Sequence, residues 1–152
     1  MSTPPLRAAT VGGTADEVEA QFYDALQKGD VAALMACWAD EDEIVCIHPD
    51  GPCHVGPGAI RAAYEALFAH GAPRIRTDGV RRVEALAASV HTVVEHREPA
   101  QAGDGGATVC TIATNVYHRT AQGWRLVAHH ASPGTAADAA APRPADALQT
   151  LH

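Results

Sequence analysis

The sequence predicts an α+β fold in which a strongly curved, mainly antiparallel sheet is covered by three helices from the N-terminal half of the chain. Three observations carry this. Apolar residues recur at helical spacing in three stretches before Gly71, and the pattern then changes to Val/Ile/Thr/Tyr-rich runs from Arg74 to Ser132. A Pro49-Asp50-Gly51-Pro52 turn interrupts the helical half. With 152 residues, 47% of them hydrophobic, the chain suffices for one domain with a core of its own.

The first helix starts at Thr14, because Thr14-Ala15-Asp16-Glu17 has the spacing of a capping box. Val18, Phe22, Ala25 and Leu26 form its apolar face, and Gly29 stops it. Asp30 caps a second helix whose stripe is Val31, Leu34, Met35 and Trp38, before the solvated acidic connection Asp40-Glu41-Asp42-Glu43. Ile44 to His48 is a short strand leading into the turn. Pro57 opens the third helix, with Ile60, Tyr64, Leu67 and Phe68 on its buried side. Four antiparallel strands follow, broken near Ala87-Ala88, Gln101 to Gly106 and Ala121 to Gly123. The domain is expected to span residues 14–133, with an N-terminal extension at 1–13 and an extended or disordered Ala/Pro-rich tail at 134–152, where Leu148 and Leu151 can dock.

A formal charge of −7 repels nucleic acid and anionic membranes, so neither is an expected partner. Arg74, Arg76, Arg81 and Arg82 read as a solvated strand face. No apolar run is long enough to span a bilayer, and Met1 to Gly13 lacks the pattern of a secretory signal, so a soluble cytoplasmic protein with reduced cysteines is expected. Cys37 and Cys110 read as small core residues.

A curved sheet under a few helices leaves a conical space where a small ligand binds. In the last hairpin a tight turn at Ala121-Gln122 pairs Thr120 with Gly123, and an unbroken register then puts Trp124, Leu126, Ala128 and His130 on one face with Tyr117, Asn115 and Ala113. The bulky Trp124-Leu126 parity points this face inward, so His130 rather than His129 is the expected pocket histidine, with Asn115 one residue pair away. His130 and His48 are the candidate acid/base residues, since imidazole titrates near neutrality. Asn115, Trp38, Tyr117 and Trp124 are the candidate ligand-binding residues. Asp50 is a weaker candidate base, because Asp within Pro-Asp-Gly is a turn former. Glu95 and Glu98 lie on a strand of undetermined facing.

Cys46, His48, Cys53 and His54 have zinc-type donor atoms, but their spacing is not that of a finger or ribbon. No G-x-S-x-G, Walker A, G-x-G-x-x-G or H-E-x-x-H pattern occurs, and Gly103-Asp104-Gly105-Gly106 reads as a hairpin loop. No metal or cofactor is expected.

Residues Ala15 to Trp38, Ile44 to Pro52, Gly58 to Arg61, Ala113 to Tyr117 and Gly123 to Pro133 together resemble the SnoaL-like branch of the nuclear transport factor 2-like superfamily. The closing tryptophan-to-histidine-serine strand also resembles that of calcium/calmodulin-dependent kinase association domains. The resemblance implies a cone-shaped α+β barrel, commonly a homodimer assembled through its sheet, with a cavity on the concave face. Trp38, His48, Asn115, Trp124 and His130 match recurrent positions of the branch. The superfamily holds isomerases, dehydratases, cyclases and noncatalytic association modules, so fold alone selects no reaction. Two readings follow: a small-molecule-binding protein, an acid/base isomerase, dehydratase or cyclase acting on a mostly apolar ligand, or a noncatalytic homodimerisation module.

Overall fold

The computed structural model describes residues 12–98 and 109–140. Helix α1 (Ala15–Lys28) begins where Thr14 Oγ1 accepts the Glu17 amide at 3.0 Å. It ends at Gly29, whose φ of 66° lets the amides of Gly29 and Asp30 turn back onto the Leu26 and Ala25 carbonyls. Asp30 Oδ1 accepts the Ala33 amide at 3.0 Å and starts α2 (Val31–Ala36). This helix stops short of Trp38, which instead forms a parallel bridge with Leu126. The chain continues through the hairpin β1 (Val45–Ile47) and β2 (Cys53–Val55), helix α3 (Pro57–Phe68), and the long strands β3 (Ile75–Glu84), β4 (Ala88–Arg97), β5 (Val109–Thr120) and β6 (Gly123–Pro133).

The strands form one sheet in the order β2-β1-β6-β5-β4-β3, antiparallel throughout except where β1 runs parallel to β6. The α+β architecture is therefore as the sequence predicts. A bulge in β3 between Asp78 and Arg81 contains Gly79, which takes φ 64° there. The core lies between the helices and the inner sheet face and centres on Phe22. The Phe22 ring meets Tyr23, Trp38 and Tyr64 edge to face, with centroids 5.0, 6.5 and 6.3 Å away. Cys37 and Cys110 are buried, as expected of core residues. The four arginines from Arg74 to Arg82 are exposed, Arg76 pairing with Asp78 and Arg82 with Asp16.

Two differences from the sequence reading concern the C-terminal part. Residues 136–140 form a short helix, α4 (Ala136–Ala140), where an extended or disordered tail was expected. Its cause is local, since Thr135 and Asp138 cap each other: the Thr135 amide donates to Asp138 Oδ2 at 2.8 Å and the Asp138 amide to Thr135 Oγ1 at 3.1 Å. Leu148, Leu151 and the loop at Gly103 to Gly106 lie outside the described residues.

The second difference moves the site. β5 and β6 follow the unbroken register from Thr120↔Gly123 to Tyr117↔Leu126, but the next pair is Val116↔Ala128, so β6 bulges by one residue. Beyond the bulge the facing exchanges. His129 is buried opposite Asn115, while His130 is exposed on the outer face opposite Thr114. The expectation that His130 points inward is corrected by this extra residue.

Candidate functional site

On the inner face the strand registers align Cys46, His129, Asn115 and His91 in one cross-strand row beneath α1. Glu19 and Tyr23, one turn apart on α1, reach down to this row. Glu19 Oε2 accepts from Tyr117 Oη at 2.7 Å and from His91 Nδ1 at 2.8 Å, with Asn115 Nδ2 at 3.5 Å. Asn115 Nδ2 also donates to Tyr23 Oη at 3.0 Å, and Tyr23 Oη donates to Glu95 Oε2 at 2.7 Å. Thr111 Oγ1 donates to the other oxygen, Glu95 Oε1, at 2.7 Å. All these residues are buried, so the interior holds a continuous polar network beside its apolar core.

The network fixes the tautomer of His129. Because the Asn115 amide nitrogen faces Tyr23 and Glu19, its Oδ1 faces His129, whose Nδ1 lies 2.6 Å away and must carry the proton. Burial, set against the pull of Glu95 and reinforced by His48, Arg97 and His130, lowers the His129 pKa to about 4. The ring is therefore neutral near pH 7, with its lone pair on Nε2. Burial likewise pushes the tyrosine hydroxyls of Tyr23 and Tyr117 above their ordinary range, so they remain donors.

His48 follows β1 at the end of the sheet where β4 and β6 also finish. Its ring lies 5.1 Å from that of Tyr64 and 5.9 Å from that of His54. Burial, with help from His54 and Arg97 and against Asp50 and Glu95, holds its pKa below the usual value. His48 Nε2 and Arg97 Nε are both buried, and neither has a hydrogen-bond partner among the described residues. His129 and His48 both feel the charges of Glu95 and Arg97, which groups these four residues at this end of the sheet.

The other candidates separate. Asn115 and Tyr117 belong to the network. Trp38 lines a cleft between the end of α2 and the start of α3, and Trp124 lines one between the start of α1 and the β3–β4 turn, so neither cleft includes the His48 cluster. Asp50 is exposed in its turn, and Glu98 is exposed while Glu95 points inward. The zinc-type donors diverge: Cys46 turns inward, its Sγ 3.4 Å from Tyr64 Oη, and Cys53 faces solvent. Among the described residues, no three His, Cys, Asp or Glu side chains are arranged to hold a metal ion. None of the described helices is long and apolar enough to cross a membrane.

Sequence reasoning missed Glu19, Tyr23, His91, His129 and Arg97. A signal existed for two of them, since Glu19 and Tyr23 flank the Val18-Phe22-Leu26 stripe at i, i+4 and so border the buried face of α1.

A family model for the SnoaL-like domain matches residues 16–136. A solved structure from Thiobacillus denitrificans, provisionally named a calcium/calmodulin-dependent protein kinase type II association domain, is 35% identical, with 82% of this chain and 98% of that one covered and a TM-score of 0.73. A Streptomyces avermitilis structure provisionally named a dehydratase of the nuclear transport factor 2-like family is 26% identical over 78% of this chain and 93% of that one, with a TM-score of 0.67. A Pseudomonas putida nuclear transport factor 2-like protein of unknown function shares the fold at 18% identity and a TM-score of 0.69, covering 85% of this chain and 91% of that one. No curated protein matches. Helices, strand order and family model agree, and the chain belongs to the SnoaL-like domain family of the nuclear transport factor 2-like superfamily.

Proposed function

We propose that the chain binds a small, mostly apolar molecule at the His48–His129–Arg97–Glu95 cluster and carries out acid/base chemistry on it, of the isomerase, dehydratase or cyclase kind. The observation that carries this reading is the pair of buried, unpartnered atoms His48 Nε2 and Arg97 Nε. Leaving such groups unpaired costs about 1–3 kcal/mol each, a cost that a polar ligand group removes. His129, neutral and held by Asn115, supplies the proton acceptor. The Arg97 guanidinium supplies positive charge for an oxygen that gains negative charge as the proton leaves.

A thermal-shift screen of steroids, polyketide-like aromatics and small organic acids tests this, with each hit repeated on His129→Ala and Arg97→Gln. The variants lose the response of the wild type. Equal shifts in wild type and both variants for every hit remove this site assignment.

The 35% identity to a protein provisionally named an association domain favours a second reading, a noncatalytic homodimerisation module. Its surface is the outer sheet face, where Val90, Val94, Ile112 and Val116 are half-buried around Thr114 and His130. Sedimentation that finds only monomer at micromolar concentration eliminates it.

A further inference from the structure

A groove runs between α1 and the edge strand β3. It encloses about 350 Å³, and its walls include Asp16, Glu19, Ala20 and Asp24 of the helix and Thr77 and Arg82 of the strand. His48, His129 and Arg97 take no part in it. Three carboxylates thus face one guanidinium. Two of them have exposed partners, Asp16 with Arg82 at 2.8 Å and Asp24 with Lys28 at 3.0 Å. Exposed pairs of this kind are weak and exchange readily with other partners.

Glu19 is the observation that points to a ligand, because its side chain is only 10% exposed and its two oxygens are treated unequally. Oε2 is taken up by Tyr117, His91 and Asn115 inside the network. Oε1 has no hydrogen bond among the described residues, yet it is not one of the unpartnered atoms sealed from solvent. Its lone pairs are therefore accessible, and the groove that Glu19 lines is where they open. No lysine or arginine among the described residues pairs with this carboxylate. Its ionisable neighbour is His91, whose Nε2 has no partner and stands 3.9 Å from a further acceptor, Asp16 Oδ1. An imidazolium would leave that buried N–H unbonded, so the ring donates to Glu19 as a neutral group. A buried carboxylate with a free oxygen is satisfied by a cation that also donates hydrogen bonds. No three side chains among the described residues are arranged to hold a metal ion, whereas an ammonium group needs only acceptors.

We propose that this groove binds a short linear diamine, one ammonium group on Glu19 Oε1 and the other on Asp24. The two carboxylates are five residues apart on α1, about 7.5 Å along its axis, a separation that a short diamine spans. Ala20 lies between them in the chain and is small enough to leave the groove open, and the Thr77 hydroxyl adds an acceptor from β3. The site is separate from the His129 cluster and stands whether or not that cluster is catalytic.

Isothermal titration of the full chain at low ionic strength compares 1,4-diaminobutane, butylamine and magnesium chloride. The diamine binds most tightly, butylamine about tenfold more weakly for want of the second ammonium group, and magnesium gives no measurable heat. Asp24→Asn lowers diamine affinity about tenfold and leaves butylamine affinity as it was. Glu19→Gln weakens both amines by about tenfold or more. Glu19 also anchors the network, so a second variant keeps the test valid if Glu19→Gln folds poorly. Ala20→Lys, at an exposed helical position, sets an ammonium group of the protein's own in the groove, and diamine binding is lost. Magnesium binding as tight as that of the diamine would mark a diffuse negative field instead of an ammonium site, and overturns the proposal. Absence of diamine binding at about 10 mM, unchanged butylamine affinity in folded Glu19→Gln, or unchanged diamine affinity in Ala20→Lys overturns it equally.

Discussion

His129 Nδ1 and Asn115 Oδ1 lie 2.6 Å apart on directly paired residues of β6 and β5, the shortest link in a buried network that ties α1 to the sheet. Through Asn115 the imidazole communicates with Tyr23 and Glu19 on the helix, and through Tyr23 with Glu95 on β4. Asn115 is the junction, since each end of its amide is engaged.

Replacing that junction strands several partners at once. Asn115→Leu leaves His129 Nδ1 without an acceptor and Tyr23 Oη without a donor, and is expected to destabilise the protein by about 2–4 kcal/mol in urea unfolding. A loss under about 1 kcal/mol refutes the network's structural role.

The lowered pKa of His129 makes stability depend on acidity. Its folded value of about 4 lies below the ordinary 6.5, so as pH falls the unfolded chain takes up the proton first. The stability present above pH 6.5 declines between 6.5 and about 4, and the decline is complete below that, on the order of 3 kcal/mol in all. The lowered pKa of His48 acts in the same direction. Unfolding free energies of wild type and His129→Gln, measured across this window, should diverge by that amount; parallel curves contradict the assignment.

The bulge in β6 predicts opposite behaviour for adjacent histidines. His130→Ala, on the exposed outer face, changes stability by no more than about 0.5 kcal/mol. His129→Ala removes a buried ring packed 5.4 Å from Phe22 and costs about 2 kcal/mol or more. Comparable losses in thermal or urea unfolding would place the bulge elsewhere.

The thiols form two classes. Cys53 is exposed, whereas burial pushes the Cys37 thiol up to about 12, the Cys46 thiol up to about 11, and that of Cys110 upward as well. An aromatic disulfide reagent at neutral pH is expected to find one rapidly reacting thiol in the native protein and all four after denaturation. Two fast thiols contradict the structure.

How much of this was legible in the sequence depends on the range of the interaction. The Thr14 and Asp30 caps, the Gly29 stop and the Thr120–Gly123 turn are set by neighbours within a few residues, and they stand as read. The register was legible as far as Tyr117 and Leu126 and no further. The bulge carries no glycine or proline, and Val127-Ala128 gives an alternation as acceptable in one parity as in the other. His48 could be singled out as the residue before a turn, and Asn115 by counting back along the last hairpin. Their partners could not: Tyr23 and Glu95 are 72 residues apart, and Glu19 and Tyr117 are 98 apart. Such pairs depend on which turn of α1 settles over which row of the sheet.

Parallel pairing onto β6 also governs the order in which the fold can be completed. β1 and the Trp38 bridge find their partners only in β6, so the first strand to leave the ribosome has no hydrogen-bonded neighbour in the sheet but its own short hairpin until residues 123–133 emerge. The nascent N-terminal half must therefore wait, its apolar helix faces uncovered, for the last long strand to close the structure behind it.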